Sequence, residues 1–221
     1  LFFVLKFVSN RFFFLLFSFC LAVGAAPGEC FGTDGAPGVA WRVAGRHPHD
    51  PQAFTQGLVM RHGHLYESTG RYGRSSLRRV DPATGRALAR RDLPAAHFGE
   101  GLEEHDGRLY QLTWRETTVF VFDAATLDAL GQRPLATEGW GLCHDGTSFV
   151  VSDGSSVLRR YDPDTFASMG RIRVADQGVP VEALNELECF DGRILANVWM
   201  TDRVAVIDPG EIGRASCRER V

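Results

Sequence analysis

Lysine is nearly missing from this chain: Lys6 is the only one in 221 residues, and arginine carries the rest of the positive charge. The formal net charge is −3, with acidic and basic residues interspersed, which argues against a nucleic-acid partner. Of five cysteines, only Cys30, Cys143 and Cys189 lie away from the two ends, and no CxxC pair or Cys/His ligand spacing occurs, so a zinc site is disfavoured. No glycine loop of the phosphate-cradling kind is present. Ser68, Ser75 and Ser152 lack a nucleophile elbow and recognisable His and Asp partners, which argues against a serine hydrolase. Helical periodicity is absent throughout, leaving an all-β chain.

The ends differ from the middle. Residues 1–19 hold 8 of the 16 phenylalanines. Lys6 and Arg11 precede the apolar run Phe12–Val23, and small Gly24-Ala25-Ala26 follow. A charged start, a short apolar run and small residues after it are the parts of a secretory signal peptide, assigned to residues 1–26. The alternative, a membrane anchor, would need roughly 20 apolar residues. Residues 27–38 read as a linker, and the mature protein is expected to be secreted or periplasmic, free of the membrane and monomeric. The final stretch EIGRASCRERV (211–221) has no strand pattern and reads as an in-frame translation of a sequencing-library adaptor. It is set aside from the fold, and the natural protein is expected to continue past Gly210.

The middle repeats. Phe54-Thr-Gln-Gly-Leu58, Phe98-Gly-Glu-Gly-Leu102, Glu138-Gly-Trp-Gly-Leu142 and Leu184-Asn-Glu-Leu-Glu188 align, with their central residues Gln56, Glu100, Trp140 and Glu186 spaced 44, 40 and 46 apart. Each is followed by a turn and a strand-like run, then by a run ending in Asp (LRRVDPATG, VFVFDAATL, LRRYDPDTF, VAVIDPG), and in three units by a fourth run. Short alternating strands separated by Asp-Gly and Asp-Pro turns are antiparallel sheet, and four per repeat make one blade of a β-propeller. Val39–Ala44 resembles an isolated fourth strand that closes the ring on the last blade. The expectation is a five-bladed β-propeller over residues 39–210, broken off in its fourth blade.

Equivalent positions of a propeller converge on its axis, so Gln56, Glu100, Trp140 and Glu186 should ring one mouth of the channel. Packing alone explains Gly57, Gly101 and Gly141, but not polar groups at the most crowded positions. Trp114 and Trp199 end the second strands of their units, and with Phe54 and Phe98 they suggest an aromatic wall around one carboxylate. Such a wall orients a flat group and raises a carboxyl pKa by excluding water. Aromatic residues there can also be plain rim packing. His49-Asp50 reads as a turn brace. Cys143 and Cys189 occupy equivalent places in adjacent units and form either a disulfide or two buried thiols.

The motifs HPHDPQAFTQGL, YESTGRYGRSSL, FGEGL, LTW, EGWGL, LNELE and NVW resemble, in order and spacing from about Val39 to Pro209, those of the plant- and bacterial-type glutaminyl-peptide cyclotransferases. The resemblance implies a five-bladed propeller without catalytic zinc that converts N-terminal glutamine of peptides and proteins to pyroglutamate, releasing ammonia. It implies Glu100 as the catalytic carboxylate and Phe54, Gln56, Phe98, Trp114, Trp140, Asn185 and Trp199 as the substrate pocket. The family's lysine motif near the C-terminus has no counterpart here. No cofactor is implied, although a structural calcium ion in the channel is left open. Indole N–H groups, or the amides of Gln56 and Asn185, would supply donors for an oxyanion. The competing readings are a propeller that binds peptide or sugar without reacting, and a metal-dependent lactonase or lyase.

Overall fold

The computed structural model describes residues 43–210 and the backbone of three short strands outside them, and every regular element among the described residues is a strand. A leading antiparallel sheet consists of β1 (Phe3–Leu5), β2 (Phe14–Phe17) and β3 (Val43–His47). The first blade follows as β4 (Thr55–Arg61), β5 (His64–Thr69), β6 (Ser76–Val80) and β7 (Ala87–Asp92), and the second as β8 (Gly99–His105), β9 (Arg108–Thr113), β10 (Thr118–Asp123) and β11 (Ala129–Pro134). The third is β12 (Leu142–His144), β13 (Phe149–Val151), β14 (Val157–Tyr161) and β15 (Ser168–Arg173). A small hairpin, β16 (Ala175–Asp176) and β17 (Val179–Pro180), precedes the fourth blade: β18 (Leu184–Phe190), β19 (Arg193–Val198), β20 (Arg203–Asp208) and β21 (Arg214–Cys217). Within each blade, strands adjacent in sequence are adjacent in the sheet. The first strands β4, β8, β12 and β18 stand side by side in chain order, and β1 lies next to both β4 and β18. This is a propeller-like arrangement with four four-stranded blades described.

Turn chemistry repeats with the blades. His62-Gly63, Asp106-Gly107 and Asp191-Gly192 each put two consecutive residues at positive φ, the two-residue hairpin whose twist matches paired strands. The Asp that ends each third strand caps the next turn: Asp81, Asp123 and Asp162 accept the backbone N–H groups of Ala83, Ala125 and Asp164. Four residues on, Gly85, Leu127 and Phe166 adopt left-handed φ of 71°, 64° and 59°. Leu127 and Phe166 offset that strain by burying their side chains in the core, while at Gly85 an added Cβ would fall 2.5 Å from the Pro48 carbonyl.

Apolar side chains fill the gaps between neighbouring blades. Val59, Leu77, Leu102 and Phe122 pack between the first and second, Leu112, Val121, Leu142 and Phe149 between the second and third, and Val150, Leu158, Leu187 and Ile194 between the third and fourth. Near the axis, backbone meets backbone. A Cβ on Gly57 would lie 2.5 Å from the Leu102 nitrogen, one on Gly101 2.7 Å from the Leu142 nitrogen, and one on Gly141 2.2 Å from the Asn185 carbonyl. Gly101 N–H donates to the Trp140 carbonyl at 2.8 Å, joining the second and third blades. Cys143 on β12 and Cys189 on β18 form a disulfide with Cα atoms 5.5 Å apart, so the pairing alternative holds. A cross-link of this span restricts the unfolded chain and contributes about 2–4 kcal/mol.

The strand read at Val39–Ala44 as closing the ring on the last blade is described from Val43 to His47, and it pairs with β2. Within the stretch set aside at 211–221, Arg214–Cys217 forms β21, which pairs with β20. The physical reason is shared: an edge strand presents unpaired N–H and C=O groups that an adjacent extended segment can satisfy. Apart from β1 and β2, the leader lies outside the described residues, as does the linker at 27–38.

Gly141→Ala should lower stability by about 1–3 kcal/mol, because its methyl group meets fixed backbone of the next blade. Urea unfolding would show this as a lowered midpoint; an unchanged midpoint would mean that the blades have slack at the axis.

Candidate functional site

The equivalent residues sit at or beside irregularities of the inner strands. The β4–β5 register shifts between Thr55 and Gly57, that of β8–β9 between Gly99 and Leu102, and that of β18–β19 between Leu184 and Leu187. Gln56, Glu100, Asn185 and Glu186 therefore sit in bulges, where an extra residue re-aims side chains out of the sheet's alternation. In the third blade, Trp140 and Gly141 lie just before β12. The segment ahead of each inner strand is tied to the end of the second strand: Gly70 N–H donates to Phe54 O, Trp114 N–H to Phe98 O and Trp199 N–H to Ala183 O, while Trp140 N–H donates to Ser152 O.

Glu100 is buried, at 6% exposure, and its Oε2 accepts a hydrogen bond from Gln56 Nε2 at 2.5 Å. Rings from the four blades meet in an arc and a separate pair. Phe54 meets Phe98 edge-on at 6.2 Å, Phe98 meets Trp114 at 5.6 Å, and Trp140 meets Trp199 at 5.5 Å. Trp199 is the most open member, at 44% exposure. Glycine makes room twice. Gly70 holds the place in the first blade that Trp114 holds in the second, and a Cβ there would strike the Phe98 ring at 2.2 Å. A Cβ on Gly154, at φ +80°, would fall 2.8 Å from the Trp140 ring.

The structure thus brings Phe54, Gln56, Phe98, Glu100 and Trp114 together across the first two blades, and Trp140 and Trp199 together on the third and fourth. Asn185 is half-buried in its bulge on β18, and its carbonyl accepts from Ser152 Oγ at 2.6 Å. Ser75 Oγ accepts from Gly99 N–H, and Ser68 Oγ from Gln111, so these serines join blades. His49 braces the entrance to β4 through Glu67, at 2.9 Å, and Thr55.

Several neighbours were missed from the sequence. Glu138 Oε2 accepts from the indole Nε1 of both Trp114, at 2.9 Å, and Trp140, at 3.2 Å. Those indole N–H groups are consequently engaged, which corrects their expected availability to an oxyanion. The Arg115 guanidinium lies 3.9 Å over the Trp114 ring, and that of Arg71 4.7 Å over Phe54. Tyr72 donates to Glu116 at 2.8 Å, and the other oxygen of that carboxylate accepts Phe98 N–H. Glu138 opens the motif EGWGL, and Arg71 and Tyr72 lie within YESTGRYGRSSL, but the motifs alone gave none of them a partner. The contacts join different blades, and spacing within one repeat does not encode them.

Further along the same inner strands is a second polar group. Arg61 on β4 reaches Glu103 at 3.0 Å and Glu104 at 3.6 Å on β8. Burial raises the Glu103 carboxyl above its ordinary range, against the pull of Arg61. Burial, then the adjacent Glu103 charge, push Glu188 up to about 8. Burial and the nearby His105 ring hold His144 below its usual value. Among the described residues, no three His, Cys, Asp or Glu gather in a metal-holding group.

A family model described as glutamine cyclotransferase matches residues 15–216. A glutaminyl-peptide cyclotransferase of Arabidopsis thaliana is 41% identical over 171 residues, which are 76% of this chain and 53% of that protein. The chain therefore spans about half the length of this curated relative. The crystal structure of Myxococcus xanthus glutaminyl cyclase is 39% identical, covering 76% of this chain and 71% of that one at a TM-score of 0.71. A Bacteroides caccae protein of unknown function, 14% identical with a TM-score of 0.56 over 73% of this chain and 65% of its own, shares the fold alone.

Because the folded state raises the Glu188 pKa above its ordinary 4.5, its contribution to stability is fully present below that value and is lost as pH rises towards about 8. Glu188→Gln should flatten this loss and be more stable than the parent at pH 8. Thermal unfolding of both proteins across that window checks it, and parallel curves would contradict it.

Proposed function

The chain belongs to the glutamine cyclotransferase family, and from that premise we propose that the intact protein cyclises N-terminal glutamine of peptides and proteins to pyroglutamate, with Glu100 moving the proton. The observation that carries this reading is the buried Glu100 carboxylate, which accepts from Gln56, in the same two blades that bring the rings of Phe54, Phe98 and Trp114 together.

The reaction joins the substrate's α-amine nitrogen to its own side-chain carbonyl carbon and breaks the bond from that carbon to the amide nitrogen, which leaves as ammonia. An α-amine with a pKa near 7.7–8 is partly neutral at physiological pH, so no strong base is required. Glu100 takes the proton that the attacking amine loses and returns it to the departing nitrogen, ending as it began. Aromatic faces from Phe54 to Trp199 hold the flexible glutamine side chain folded, which removes much of the entropic barrier to ring closure. With the Trp114 and Trp140 indoles turned to Glu138, the developing oxyanion falls to the amides of Asn185 and Gln56.

The same reading makes the reaction metal-independent and the protein a monomer exported behind a leader peptide; the Cys143–Cys189 bridge fits an oxidising compartment. It also makes the intact ring five-bladed.

Ammonia release from a Gln-initiated dipeptide, measured with the intact gene product in the presence of a chelator, tests the proposal. Glu100→Gln should lower turnover by about 10²–10⁴-fold while the dipeptide still quenches tryptophan fluorescence. Near-parental turnover in the variant would remove Glu100 from the chemistry. Binding without any release by the parent protein would leave a peptide-binding propeller.

A further inference from the structure

We propose that Glu138 is a positioning residue that locks Trp114 and Trp140 into one rigid wall across the joint between the second and third blades. The inference rests on the reading of the site given above, but the clamp is visible in the geometry alone. One carboxylate oxygen receives both indole N–H groups, at 2.9 and 3.2 Å. The other faces Arg115 Nε at 3.6 Å, and the same guanidinium covers the Trp114 ring at 3.9 Å. Trp114, Glu138 and Arg115 thus form a closed cycle of contacts, with Trp140 attached to its acid corner.

The backbone delivers Glu138 to this place. Gly139 N–H donates to the carbonyls of Thr113 and Trp114, both at 3.1 Å, which pins the start of the third blade against the end of β9. A Cβ at Gly139 would lie 2.9 Å from Leu112 Cβ, Leu135 Cδ2 and the Thr113 carbonyl, so only glycine allows the approach. With Gly139 fixed, Glu138 stands one residue before it and Trp140 one after.

An indole has a single N–H and no acceptor, so one bond to that group fixes the ring's rotation about its side-chain torsions. Bonds to a carboxylate are stronger than neutral ones, and both end on one atom, so neither ring can turn without losing its partner. Trp114 ends the arc of rings on the first two blades, and Trp140 begins the pair on the third and fourth. Without Glu138 the two halves of the wall are independent, and the substrate's folded side chain loses a surface of fixed angle. Glu138 does not move a proton in this scheme. It acts through the two tryptophans.

The test pairs a spectroscopic readout with kinetics, using Glu138→Ala and Glu138→Gln in the intact gene product. The indole N–H signals of Trp114 and Trp140 in ¹H–¹⁵N spectra, assigned by single Trp→Phe substitutions, should shift and exchange faster with solvent in Glu138→Ala. In the same variant kcat/KM for a Gln-initiated dipeptide should fall about 10–100-fold, the cost of a misplaced wall. Glu138→Gln keeps an acceptor oxygen and should retain slow indole exchange and most of the activity. Unmoved indole signals in the alanine variant would overturn the clamp, as would full activity despite moved signals, or a glutamine variant as damaged as the alanine one. A parent protein that releases no ammonia would refute the enzyme reading instead, and the indole signals would still decide whether Glu138 holds the two rings.

Discussion

Neighbouring inner strands of this propeller approach until backbone touches backbone, and most other features follow from that constraint. Gly57, Gly101 and Gly141 each face backbone of the next blade at distances no side chain could share. Had any of them carried a methyl group, the blades would have to move outward, loosening the apolar layers between them. The residues beside Gly57 and Gly101, and Asn185 and Glu186 opposite Gly141, sit in bulges of the inner strands, and one such bulge hands Gln56 to Glu100 of the next blade. Glycine here is therefore part of the site as much as part of the core.

Convergence creates an electrostatic problem that the two ends of the inner strands handle differently. At one end, Glu100 is buried and accepts from Gln56. At the other, Glu103 and Glu188 share a buried neighbourhood with Arg61, and both carboxyls are pushed towards their neutral forms. A like-charged, desolvated pair ionises reluctantly. The cross-link from Cys143 to Cys189 crosses the same region and holds β12 to β18.

The aromatic arc is assembled from residues that belong to different blades and is held by hydrogen bonds at its back. Glu116 holds the Phe98 backbone and the Tyr72 hydroxyl, and Glu138 holds two indoles. These acids lie behind or beside the rings, so a mostly apolar wall is oriented by polar contacts. Arg71 and Arg115 cover outer ring faces, a cation–π arrangement that limits how far Phe54 and Trp114 can open to water.

The repeat, its strands, its Asp-capped turns and the equivalence of Gln56, Glu100, Trp140 and Glu186 are all legible in the chain, because each depends on residues within one unit. Alternation sets the strands, Asp sets the turns, and a shared period places equivalent residues on one axis. The same local logic cannot show that Glu138 belongs to Trp114, that Gly70 is small because Phe98 fills its space, or which segment an edge strand recruits. Those are contacts between units, decided by how far adjacent blades are rotated and how closely they approach. Tertiary structure alone sets that distance, through the packing of one blade's backbone against the next.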